Sequence, residues 1–76
     1  MVSQDTVLKV MKEQPDKIWS VPEIASMIYR KEGRALYSSY RSSTYEALKR
    51  LEKNGEVKKT VMIQIGPQKT RGWVLS

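Results

Sequence analysis

The stretch that most constrains the fold is residues 41–57, R-S-S-T-Y-E-A-L-K-R-L-E-K-N-G-E-V. Ser43 and Glu46 have the spacing of a capping box, in which the hydroxyl accepts from one free backbone N–H and the carboxylate reaches back to another. A helix is therefore expected to begin near Thr44. Thr44, Ala47, Leu48 and Leu51 fall on one stripe of a 3.6-residue helix, which is the face expected to meet a core. Ser42, Tyr45, Glu46, Lys49, Arg50 and Lys53 occupy the other sides, so the outer surface carries hydroxyls, an aromatic ring and three cations. Asn54-Gly55 then ends the helix, because this pair tolerates the positive φ that a sharp stop demands. The chain turns into Glu56-Val57.

The run S-S-T-Y-E-A-L-K-R-L-E-K-N-G-E-V resembles the third helix of winged helix-turn-helix DNA-binding domains. Within these it is similar to the PadR-type pattern S-T-V-Y-x-A-L-x-x-L-x-x-x-G-x-V, matching through Tyr45, Ala47, Leu48, Leu51, Gly55 and Val57, with Ser43 and Thr44 in the places of the family's Thr and Val. The resemblance implies an α+β winged helix-turn-helix, ordered helix, short strand, helix, helix, strand, strand, with the last two strands forming a β-hairpin wing. It also implies binding to double-stranded DNA and a role in transcription regulation.

Length and composition narrow the alternatives. Seventy-six residues make one small domain, since a chain of this size buries only roughly 60% of its unfolded surface and has no room for a large enzyme cleft. Cys and His are both absent, so disulfides, Cys/His zinc sites and histidine acid–base chemistry are excluded by inventory. No acidic cluster has metal-ligand spacing, which disfavours a hydrolase or nuclease, and no cofactor is expected. No apolar run approaches the roughly 20 residues that span a bilayer, and the N-terminal M-V-S-Q-D-T-V-L lacks the basic start and apolar centre of a signal peptide. A cytoplasmic protein with no membrane partner is expected. The net charge of +6 is uneven: residues 1–40 hold six Lys/Arg against five Asp/Glu, and residues 41–76 hold eight against three. Such an asymmetry suits a surface that meets a polyanion, although a solubilising charge excess would look the same.

Along the chain, a first helix is expected over residues 3–13, with Ser3 as its cap, Asp5 in the first turn, and Val7, Leu8, Val10 and Met11 as its apolar face. Residues 17–20 should be a short extended segment in which Ile18 and Trp19 anchor the core. Ser20 and Glu23 form a second capping box with Pro22 in the first turn, opening a helix whose apolar face is Ile24, Ala25, Met27 and Ile28. The segment 29–41 departs from the family pattern, because a compact turn uses three or four residues and this one reads as enlarged. In it, Leu36 with Tyr37 or Tyr40 packs back as a hydrophobic plug, or Arg30, Lys31, Arg34, Tyr37 and Tyr40 extend a DNA-facing surface. A strand follows over 56–65 with Val57, Val61, Ile63 and Ile65 to one side, then a polar loop over 66–72, then a strand over 73–75 with Trp73 in the core.

The DNA-binding candidates are Arg41, Ser42, Ser43, Tyr45, Glu46, Lys49, Arg50 and Lys53 on the third helix, and Gln68, Lys69, Thr70 and Arg71 at the tip of the wing. Arg and Lys pair with guanine edges, Tyr45 meets a thymine methyl or a phosphate, and Glu46 accepts from cytosine or serves as a cap. A cationic hairpin is suited to the negative potential of the minor groove or the adjacent backbone. Lys58 and Lys59 meet phosphate or solvent, or protect an edge strand. One half-site per domain points to a homodimer on a palindromic site. The competing expectation is a protein-docking module within a larger nucleoprotein assembly.

Overall fold

The computed structural model describes residues 2–34 and 36–76. It is an α+β arrangement of three helices, α1 (Gln4–Glu13), α2 (Val21–Glu32) and α3 (Tyr37–Lys53), followed by an antiparallel hairpin of β1 (Val57–Ile65) and β2 (Gln68–Leu75). None of the described helices is long and apolar enough to cross a membrane.

Local chemistry accounts for the first two helices. The Ser3 hydroxyl accepts from the Thr6 N–H at 3.1 Å and starts α1. Ser20 and Glu23 close a reciprocal capping box, the Ser20 Oγ accepting from the Glu23 N–H at 3.2 Å and the Glu23 carboxylate accepting from the Ser20 N–H at 3.3 Å. Gly33, at φ 55, takes the left-handed conformation that ends α2.

The core is shared by all five elements. Val7 and Met11 of α1, Ile24 and Ile28 of α2, and Leu48 and Leu51 of α3 are sealed from solvent together with Trp19, Val57 and Trp73. Leu8, expected on the buried apolar face of the first helix, is only half-buried against the core. The expected short strand near residue 19 is a single bridge, in which Trp19 and Trp73 exchange backbone hydrogen bonds of 2.8 and 2.7 Å. Trp19 is buried as expected, whereas Ile18 projects outward because the alternation of an extended chain sends neighbouring side chains to opposite faces.

Three expectations are corrected. First, α3 begins at Tyr37 rather than near Thr44, so Ser43 lies inside the helix and Glu46 is an exposed mid-helix residue; the 43–46 capping box does not form. Tertiary contacts set the start instead. The rings of Tyr37 and Tyr40 pack edge-on against Tyr29 at 5.8 and 5.4 Å, the Tyr37 hydroxyl donates to the Pro22 carbonyl at 3.2 Å, and the Tyr40 hydroxyl accepts from the Arg34 N–H at 3.1 Å. Second, the connection between α2 and α3 is therefore only residues 33–36, of which Ala35 lies outside the described residues, and the turn is not enlarged. Tyr37 and Tyr40 form the plug, while Leu36 is exposed.

Third, the polar loop 66–72 is a two-residue turn, Gly66-Pro67, and residues 68–71 belong to β2. Gly66 at φ 57 suits the first central position of a type II′ hairpin turn, whose twist matches that of the strands. Lys59 pairs with Trp73 but Met62 with Arg71, so Thr60 and Val61 together face Gly72 in a β-bulge. The bulge breaks the expected alternation and leaves Val61 exposed. Gly72 is required there, since a Cβ would stand 2.6 Å from both Ile18 Cγ2 and the Val61 carbonyl oxygen.

Candidate nucleic-acid interface

The buried stripe of α3, Tyr40, Thr44, Ala47, Leu48 and Leu51, fixes which residues are left facing out. Arg41, Ser42, Tyr45, Glu46, Lys49, Arg50 and Lys53 are exposed and Ser43 is half-buried. Six of these eight residues line one or both of two grooves on either side of the helix, Ser42 lining both.

The groove on the hairpin side, about 440 Å³, is lined by Arg41, Ser42 and Tyr45 of α3 and by Thr70 and Arg71 of β2, together with Val21, Pro22 and Trp73. Candidates from distant parts of the sequence thus meet here. The groove on the other side, about 490 Å³, lies between α3 and the N-terminus of α1 and is lined by Ser42, Ser43, Glu46 and Arg50 with Val2, Ser3 and Gln4. Lys49 and Arg50, expected to address the same surface, are one residue apart on the helix and so diverge by about 100°. The Lys49 ammonium stands 5.4 Å from the centre of the Tyr45 ring, while Arg50 lines the α1-side groove. Lys49, Lys53, Gln68 and Lys69 are exposed but line neither groove. Gln68 pairs with Ile65 next to the turn and Lys69 with Gln64.

Charge is concentrated and little compensated. The ion pairs among the described residues are Lys17–Glu23 at 2.8 Å, Lys31–Glu13 at 3.7 Å and Lys59–Glu52 at 3.8 Å. Arg41, Lys49, Arg50, Lys53, Lys58, Lys69 and Arg71 therefore have no carboxylate partner among the described residues. The Arg71 guanidinium is nevertheless held in place, donating to the Thr60 carbonyl at 3.0 Å across the bulge. Arg71 is thus presented from the flank of a strand and not from a loose tip.

The expected extension of this surface by residues 30–40 is only partly available. The hydroxyls of Tyr37 and Tyr40 are engaged at the corner between α2 and α3, and Lys31 reaches Glu13. Ser38 is a groove residue that the sequence reading missed. The signal for it was present: Tyr37, Tyr40 and Thr44 continue the core stripe toward the N-terminus at helical spacing, which would have extended α3 and brought Ser38 onto its outer face.

At the start of α2, burial pushes the Glu23 carboxyl up, but the Lys17 ammonium and the Ser20 donors outweigh it and hold the group below its ordinary range. No three His, Cys, Asp or Glu side chains gather into a possible metal site among the described residues. Fold and surface together define a three-helix α+β domain in which one helix flank and one hairpin strand build a shared cationic groove. No family model, curated protein or solved structure matches the chain.

Proposed function

We propose that the chain is a winged helix-turn-helix protein that binds double-stranded DNA sequence-specifically and acts as a transcriptional regulator. The observation that carries this reading is the groove in which Arg41, Ser42 and Tyr45 of α3 meet Thr70 and Arg71 of β2, its two cations having no carboxylate partner among the described residues. A helix about 10–12 Å across fits the major groove of B-DNA, and a basic strand beside it lies where the adjacent phosphates run. The short connection 33–36 and the Trp19–Trp73 bridge, in the place of a small first strand, agree with the same architecture. In this reading α3 is the recognition helix, the hairpin is the wing, and regulation works by occlusion of a promoter or recruitment to it.

Selection from a random duplex library at several salt concentrations tests the proposal. A regulator enriches a defined motif and binds it with a steep salt dependence. The second reading, a protein-docking module, is favoured by the exposed Val61 and Met62 on the hairpin. Absence of any enriched motif, with uniformly weak binding at low salt, would decide for it.

A further inference from the structure

The hairpin has two edges in different states. β2 is bridged on its outer side by Trp19 at Trp73 alone and carries Lys69 and Arg71 along the rest of that side, whereas β1 has β2 as its only partner among the described residues and is uncharged from Thr60 to Ile65. Its outer edge is therefore open. Along that edge Val61, Met62 and Ile65 are 64%, 47% and 41% exposed, an unusual density of apolar surface for a strand with free backbone groups.

We infer that the outer edge of β1 is a homodimer interface, in which residues 61–65 of two copies pair antiparallel about a two-fold axis through Ile63. Two observations select a second copy as the occupant. An isologous contact presses a surface against itself, so it must be free of net charge, and this chain carries +6. Residues 60–68, T-V-M-I-Q-I-G-P-Q, are the longest stretch of the chain without a charged side chain. The most open edge thus coincides with the segment best able to face its own copy.

The backbone fixes the register. Ile65 and Gln68 flank the two-residue turn as a hydrogen-bonded pair, and alternation along the ladder then turns the amide groups of Gln64 and Met62 away from β2. Pairing through those groups sets Met62 opposite Gln64 of the other copy. Val61 then faces the other Ile65, and the two Ile63 side chains meet at the axis. The bulge at Thr60–Val61, with Lys58 and Lys59 beyond it, blocks pairing further toward the start of the strand and so excludes competing registers. Lys69 and Arg71, on β2, do not take part in the edge.

Five residues from each copy make a small contact beside a standard interface of about 1,600 Å². The dimer is therefore a weak one that dissociates on dilution. Among the described residues each protomer offers one uncharged edge of this kind, the outer side of β2 carrying Lys69 and Arg71, so association closes at two copies.

Sedimentation of the protein without nucleic acid, over a wide concentration range, tests the interface. The expected result is a monomer–dimer equilibrium. Gln64→Pro removes an N–H that points outward and leaves the hairpin ladder intact, so it should give monomer with unchanged circular dichroism. Val61→Lys, at an exposed position, should do the same by a different route. Because the chain has no Cys, an Ile63→Cys variant places the only thiol at the axis and should form a disulfide dimer on mild oxidation, well ahead of Met62→Cys. A monomer at every concentration, species beyond the dimer, or equally fast cross-linking of the two Cys variants would overturn the inference. The interface is independent of DNA binding: failure here leaves the duplex selection untouched, and a failed selection leaves the dimer standing.

Discussion

Gly72 shows how much a single position can carry when backbone and side chain compete for the same space. A methyl group there would stand 2.6 Å from the Val61 carbonyl, which is backbone, and from Ile18 Cγ2, so relief requires the bulge itself to move. Gly72→Ala should cost roughly 1–3 kcal/mol, the range for overpacking a filled site, read as a lower midpoint in urea or heat unfolding. Unchanged stability would show that the bulge yields without resistance. On α3, Lys49→Ala and Arg50→Ala should each leave stability nearly unchanged, because both side chains are exposed. If either makes a bidentate base contact, its loss should weaken the selected site by roughly 1–3 kcal/mol and random duplex by much less. Their placement on different sides of the helix makes unequal effects the expected outcome. Equal losses on selected and random duplex would reduce both residues to phosphate ligands.

At the scale of elements, the start of α2 offers the clearest linkage between local chemistry and stability. Ser20 is fully buried and its hydroxyl accepts from the Glu23 N–H, so Ser20→Ala should cost about 1 kcal/mol, measured by denaturant unfolding. Glu23 has its pKa lowered in the folded protein below the ordinary value of 4.5. A carboxylate of this kind adds stability above its unfolded pKa and loses it as pH falls through the lower folded value. Glu23→Gln should therefore flatten the fall in stability on acidification below about pH 4.5, and a variant as acid-sensitive as the parent would place the linkage elsewhere. The same sequence pattern at Ser43 and Glu46 makes no cap. A Ser three residues before a Glu recurs by chance inside helices; the helical spacing of Tyr37, Tyr40 and Thr44 is the sequence signal that α3 has already begun, and the contacts of Tyr37 and Tyr40 with Tyr29 hold that start in place. The core stripe of Thr44, Ala47, Leu48 and Leu51 was legible because it depends on period alone. The bulge was not, because Gly72 is needed by Ile18, fifty-four residues away in sequence. Of the candidates named from sequence, Arg41, Ser42, Ser43, Tyr45, Glu46, Arg50, Thr70 and Arg71 line a groove, whereas Lys49, Lys53, Gln68 and Lys69 line neither, and Ser38 lay outside a helix started near Thr44.

At the scale of the whole molecule, the +6 charge and its concentration after residue 40 make salt dependence the most direct measure of how this surface is used. Seven cations from Arg41 onward have no carboxylate partner among the described residues, and they lie on both α3 and the hairpin. Each that neutralises a phosphate adds up to about 0.9 to the slope of log affinity against log salt for duplex DNA. Lys69→Ala with Arg71→Ala should therefore weaken binding to every duplex and lower that slope by up to about 1.8, without changing which motif is selected. The two positions are not equivalent. Arg71 is tied to the Thr60 carbonyl and faces the groove shared with Arg41 and Tyr45, whereas Lys69 is exposed outside both grooves. The single Arg71→Ala variant should accordingly account for most of the loss in affinity, while Lys69→Ala alone should change the slope more than the affinity at moderate salt. An unchanged slope in the double variant would mean that the hairpin does not approach DNA, and binding would then rest on α3 alone.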